Sequence, residues 1–142
     1  MGLQLDIVTP EKQLFSGEVD SVLAPGAEGE LGILPHHAPL MAALTMGELV
    51  ARRGEEELLF AIYGGFIQVL PDRVIVLADV GERADEVDAE RAEMARREAE
   101  ELLKREPPPE LRAEAMMALR KAQLRLRIAQ RQRPSRPPEE YS

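Results

Sequence analysis

The chain has no cysteine and no tryptophan, and only two histidines, two tyrosines and three phenylalanines among its 142 residues. Without cysteine there is no disulfide framework and no thiolate metal or redox chemistry, which fits a reducing compartment. With aromatics at 4%, the core has to be aliphatic, and the scarcity of stacking rings argues against nucleic acid as a partner. No stretch approaches the roughly 20 apolar residues of a membrane span. The opening residues MGLQLDIVTPEKQL have neither a basic region nor a long apolar run, so no signal peptide is expected. Phosphate-loop and dinucleotide patterns are missing. So are a nucleophile–base pair, a metal-ligand set and a convergent pair of acids. Ser16, Ser21, Thr9 and Thr45 sit where turns and strands explain them. An enzyme is the least favoured class.

What is present is charge, unevenly spread. Charged residues make up 31% of the chain and the net charge is −8. Residues 1–84 hold 13 acids against 5 bases, and residues 85–111 hold 10 against 5. Residues 112–142 reverse the sign, with 3 acids against 8 bases. A basic end on an acidic protein suggests an acidic partner for that end.

The first half reads as short strands. Residues 4–8 alternate, with Leu3, Leu5 and Ile7 on one face, and Pro10 closes the run. Residues 18–24, 30–34, 48–53, 57–63, 66–70 and 73–78 follow as further strands. Pro25-Gly26, Met46-Gly47, Gly64-Gly65 and Pro71-Asp72 are the turn signals between them. Such spacing predicts a sandwich or barrel. Gly64-Gly65 is read as a hairpin turn with a purely structural role.

After Gly81-Glu82-Arg83 the composition shifts to Ala, Glu, Arg, Leu and Met, strong helix formers. Pro107-Pro108-Pro109 divides residues 88–133 into two helices, with Pro109 suited to the first turn of the second. Their apolar stripes are Ala92, Ala95, Ala99 and Leu102, then Leu111, Ala115, Ala118, Ala122, Leu126 and Ala129. Two such helices with a short connector make an antiparallel hairpin. Each alanine methyl contributes on the order of 0.8 kcal/mol when buried, against ~1–2 kcal/mol per residue of backbone entropy. The hairpin is therefore expected to be a marginal module that competing contacts can undock. Residues 134–142 are expected to be a Pro-rich disordered tail.

Three separated segments stand out. Residues 29–40, GELGILPHHAPL, form a glycine- and proline-shaped loop. Tyr63-Gly64-Gly65-Phe66 lies in the strand region, and Val87-Asp88-Ala89-Glu90-Arg91-Ala92 opens the first helix. Together and in this order they resemble the epsilon subunit of the bacterial F-type ATP synthase, from about Leu3 to about Gln130. The resemblance implies a β-sandwich over residues 1–84 that docks on the gamma subunit and the c-subunit ring. A two-helix regulatory hairpin over residues 85–133 would follow, and then the tail.

The resemblance also implies roles. His37 and Pro39 match a Gly-His-x-Pro pattern, with His36 in the glycine's place. Glu30 and His37 become c-ring contacts, whereas their simplest reading is a loop acid and a hydrogen-bonded loop histidine. Residues 87–92 match an ATP-binding motif, which makes Glu82, Asp88, Arg91, Ala92 and Arg125 nucleotide-binding candidates. Without nucleotide, Asp88 is a helix N-cap and Arg91 a solvated residue. Glu98 and Lys121 replace two phosphate-facing arginines, so ATP binding should be weak or lost. No cofactor is required, and a weak regulatory ATP is the most that is implied. The stripe Arg112, Arg120, Lys121, Arg125, Arg127, Arg131 and Arg133 reads as a solvated face or a partner surface. By resemblance Arg120, Lys121, Arg125 and Arg127 meet the acidic region of the catalytic head, built of alpha and beta subunits.

The function implied is a non-catalytic rotor subunit of the central stalk. It couples proton-driven ring rotation to ATP synthesis and inhibits hydrolysis through its helices. It lies peripherally on the cytoplasmic face of the cell membrane, held there only through the complex. The rivals are a free-standing nucleotide-responsive binding module and an adaptor whose basic helix binds acidic protein or RNA.

Overall fold

The computed structural model describes residues 2–132. Arg133 and the segment 134–142 expected as a tail lie outside them. The chain divides into two compact units, residues 1–84 and 85–142.

The first unit is built from eight strands: β1 (Leu3–Val8), β2 (Gln13–Val19), β3 (Ser21–Gly26), β4 (Gly29–Ile33), β5 (Leu40–Arg53), β6 (Glu56–Leu70), β7 (Arg73–Ala78) and β8 (Gly81–Arg83). Their order is β2-β1-β7-β6-β5-β3-β4, with β8 paired to β6. Two long strands make this sheet a sandwich. The later part of β6 pairs with β7, whereas its earlier residues Phe60–Ile62 pair with β8. The later part of β5 pairs with β3. Each long strand thus passes from one layer to the other. Between the layers lie Leu3, Leu5 and Ile7 of β1, with Leu49, Ile62, Ile67, Val69, Val74 and Val76. The alternation expected of β1 holds, since Leu3, Leu5 and Ile7 are all fully buried.

Several boundaries differ from expectation. The run 18–24 is not one strand. It is cut at Asp20, whose carboxylate Oδ2 accepts the Gly54 N–H at 2.8 Å. Pro25-Gly26 belongs to β3, and the chain reverses one step later, at Ala27-Glu28. Met46-Gly47 lies inside β5. Gly64-Gly65 is not a hairpin turn. β6 runs straight through it, and its register against β5 is the same on both sides, Leu44 opposite Gly65 and Met46 opposite Tyr63. The glycines instead supply a kink, with φ of 92° and 131°. At Gly65 a Cβ would lie 2.2 Å from the Leu77 carbonyl oxygen, so only glycine fits. Pro71-Asp72 does form the turn between β6 and β7.

A 3-10 turn, Ala84–Glu86, spans the boundary, and the second unit continues with α1 (Ala89–Lys104) and α2 (Pro109–Gln132). Asp88 caps α1, its Oδ1 accepting the N–H groups of Glu90 and Arg91 at 3.1 and 3.2 Å. The prolines end α1, and Pro109 enters the first turn of α2. Glu106 in the connector takes a left-handed φ of 51°. The helices pack on each other, with Ala92, Ala99, Ala115 and Ala122 buried. On α2 most of the expected stripe holds: Ala115 and Ala122 are buried and Leu126 and Ala129 half-buried, joined by half-buried Leu119, whereas Leu111 and Ala118 are exposed. Leu124 and Ile128, absent from the expected stripe, are buried on another side of α2.

Candidate partner-binding surfaces

The shaped loop between β4 and β5 is held from within and from its neighbour. His37 N–H donates to the Leu34 carbonyl at 3.2 Å, and His36 N–H donates to the Pro71 carbonyl at 2.7 Å. His36 has φ 69°, the left-handed region that glycine prefers. The histidine therefore keeps the backbone of the glycine it replaces. The His37 ring Nδ1 lies 2.7 Å from the Ala38 carbonyl. A neutral His37 that donates there presents Nε2 as an acceptor. Glu30 lies on β4 opposite Pro25 and is exposed.

An exposed apolar row on the sheet was not anticipated. The register aligns Ala43, Phe66, Leu77 and Val8 across β5, β6, β7 and β1. Phe66 is 56% and Leu77 53% exposed, and Met41 in the adjacent row is 67% exposed. A contiguous apolar patch on a folded surface marks an interaction site. The signal was in the sequence: β7, RVIVLA, is apolar on both faces although a surface strand needs only one.

The nucleotide candidates fall in both units. Glu82 stands on β8, where its Oε2 accepts the Tyr63 hydroxyl at 3.0 Å. Asp88 is the α1 cap, Arg91 is exposed and Ala92 is fully buried. Arg125 is half-buried on α2.

The basic residues of α2 do not share one face. Arg112, Arg120 and Arg127 align with Met116 at spacings of four and seven, and all four are exposed. Lys121 and Arg125 lie four apart on the far side of the Leu124–Ile128 pair. On α1, Arg96 is engaged with Glu93 and with Glu100, the latter at 2.8 Å. Among the described residues no three histidine or acidic side chains cluster as a metal site requires.

A two-layer sandwich with a bare apolar row, followed by a capped helical pair, defines a two-part protein of one β unit and one small helical unit. Two family models cover the chain in that order: the ATP synthase delta/epsilon chain β-sandwich domain at residues 2–84, and its long α-helix domain at residues 85–130. The chain belongs to the family of ATP synthase delta/epsilon chains. Among its relatives is the ATP synthase epsilon chain of Dehalococcoides mccartyi, 53% identical over 132 residues, covering 92% of this chain and 94% of that one. That of Herpetosiphon aurantiacus is 48% identical over 133 residues, covering 94% and 98%. In fold the chain is similar to one in the mitochondrial ATP synthase OSCP/F1/c-ring assembly of Euglena gracilis. The TM-score is 0.71 at 24% identity, with 83% of this chain and 75% of that chain covered. A second likeness is to the central stalk/c-ring assembly of Tetrahymena thermophila, with TM-score 0.53 at 20% identity, covering 63% and 72%. Family membership makes the chain a component of an ATP synthase. Among the described residues no helix is long and apolar enough to cross a membrane.

Proposed function

We propose that the chain is a non-catalytic rotor subunit of the central stalk, transmitting c-ring rotation toward the catalytic head and restraining ATP hydrolysis with its helices. The observation that carries this reading is the combination, in one chain, of a bare apolar row on the sheet with an alanine-packed helical pair whose second helix, α2, carries a surplus of positive charge. The row of Phe66, Leu77 and Met41 suits a permanent docking partner, here the gamma subunit. Glu30 and His37, on a braced loop and its flanking strand, suit a modest polar contact with the c ring. The exposed Arg112, Arg120 and Arg127 suit an acidic surface on the alpha/beta head. Small buried residues keep the helical pair's packing weak enough for contacts of a few kcal/mol to remodel it. The chain then lies on the cytoplasmic face of the cell membrane, peripherally, through its partners.

The test is hydrolysis by a matching head complex lacking this subunit, titrated with the full chain and with a chain ending at Ala84. Saturable inhibition by the full chain alone is the expected result. Binding of both without inhibition by either would remove the restraining role of the helices.

No cofactor is needed for this role. Glu98 brings negative charge where a phosphate-binding arginine is expected, and Asp88 already serves as a cap. Calorimetry of the free chain with ATP is expected to give no heat above dilution at micromolar protein, and a tight isotherm would overturn this.

A further inference from the structure

The edge of β5 is open where β3 leaves it. β3 pairs with β5 at Ser21–Leu23 and again at Gly26, opposite Leu44, and then turns away at Ala27-Glu28. The last bond between them is from Ala27 N–H to the Ala43 carbonyl, 2.9 Å. Backbone groups on a strand alternate sides. Met41, two residues before Ala43, therefore points its N–H and C=O the same way, where neither β3 nor β4 pairs with it. On its other side this stretch is fully paired to β6, from Leu40 opposite Val69 to Ala43 opposite Phe66.

A groove of about 530 Å³ lies along that open edge, walled by β4 and the β3–β4 turn. Leu31, Leu40, Met41 and Ala42 give it an apolar lining, and Glu28 and Glu30 stand on its wall. Neither glutamate makes a side-chain hydrogen bond or ion pair among the described residues. An unpaired strand edge is a template for another strand.

We propose that this groove takes an extended peptide segment of another subunit, which adds to β5 beside residues 40–43 and carries lysine or arginine opposite Glu28 and Glu30. Main-chain bonds to Met41 and Ala43 supply binding that is indifferent to sequence, and alternate side chains supply selection. Apolar residues settle on Leu31 and Leu40, while the basic residues between them reach the carboxylates. About four residues, or about 13 Å of strand, fill the open edge. The groove shares Glu30 with the proposed ring contact and the Met41 side chain with the proposed gamma-docking row, but it rests on the backbone edge of β5, so either reading can fail without the other.

The experiment is a nuclear magnetic resonance titration of the nitrogen-labelled full chain with two acetylated, amidated pentapeptides, one alternating valine and lysine, the other valine and glutamate. The lysine peptide is expected to shift the amides of Leu31 and residues 40–43, to protect the Met41 amide from exchange, and to bind at least about tenfold more tightly than its acidic counterpart. Glu28→Lys with Glu30→Lys, both exposed changes, should invert that order. Met41→Pro, which removes only the outward-facing donor, should weaken both peptides. Equal binding of the two peptides, shifts that map elsewhere, or no binding at millimolar peptide would each overturn the proposal.

Discussion

Asp6 is the only charged side chain buried among the described residues, and its neighbours explain how it is tolerated. Ser16 Oγ donates to Oδ1 at 2.6 Å, Gln4 Nε2 donates to Oδ1 at 3.2 Å, and Arg73 Nη2 donates to Oδ2 at 2.9 Å. The Ser16 bond does most to hold the carboxyl below its ordinary pKa. Desolvation opposes it, and Gln4 and the half-exposed Arg73 add to the lowering. A group whose pKa is lower folded than unfolded stabilises the fold above the unfolded value, near 3.9 for aspartate. That contribution is lost as pH falls through the folded value. Asp6→Asn should therefore cost about 1–3 kcal/mol at neutral pH, the scale of losing hydrogen bonds to a charged acceptor. The gap between variant and wild type should narrow below about pH 4. Urea unfolding of both proteins at pH 7 and pH 3.5 reads the difference, and a gap independent of pH would contradict this role. Little of it was legible beforehand. Alternation places Asp6 opposite Leu5 and Ile7, on the outer face of β1, but gives no sign that Ser16 and Arg73 close over it from β2 and β7. His36 is a similar case, its left-handed backbone visible only as a departure from a glycine in a familiar pattern.

At the scale of elements, the sequence shows local periodicity well and tertiary pairing poorly. β1, the Pro71-Asp72 turn, the Asp88 cap and the proline break between α1 and α2 rest on local chemistry and were readable. β5 and β6 were not, because their interior glycines look like turns. Gly65 is kept by the nearby Leu77 carbonyl, a contact made across the sheet and invisible to any local window. The apolar stripe of α2 was right at Ala115, Ala122, Leu126 and Ala129 and wrong at Leu111 and Ala118 for a related reason. Ala115 and Ala118 are equally apolar, and only the approach of α1 decides which is covered. The candidate surfaces divide in the same way. His37 lies on the loop where residue pattern put it, whereas Glu30, read as a loop acid, stands exposed on β4. The row of Phe66 and Leu77 forms only when β6 and β7 come into register.

For the whole molecule, the charge asymmetry matters most. Residues 1–111 carry 23 acids and 10 bases, and residues 112–142 carry 3 and 8. An acidic partner is therefore attracted to α2 and repelled elsewhere, which orients an encounter. Because the basic residues occupy two faces, the surfaces can be tested separately. Arg112, Arg120 and Arg127 are exposed and aligned, so reversing all three to glutamate should leave the fold intact. Lys121 and Arg125 flank buried Leu124 and Ile128, and Arg125 is itself half-buried, so changes there mix docking with stability. In the hydrolysis titration, Arg112→Glu, Arg120→Glu and Arg127→Glu together should raise the concentration for half-inhibition at least about tenfold, on the basis of roughly 0.5–1 kcal/mol for each screened contact. The wild-type chain should weaken as salt is raised from 0.05 to about 0.5 M, whereas the triple variant should barely respond, since the charges that salt screens are already gone. Reversing the exposed acids Glu98 and Glu101 of α1 to lysine controls for net charge and should not weaken inhibition. Undiminished inhibition by the triple variant would show that the outer basic face of α2 is solvated surface, and would leave Lys121 and Arg125 as the basic pair to test next.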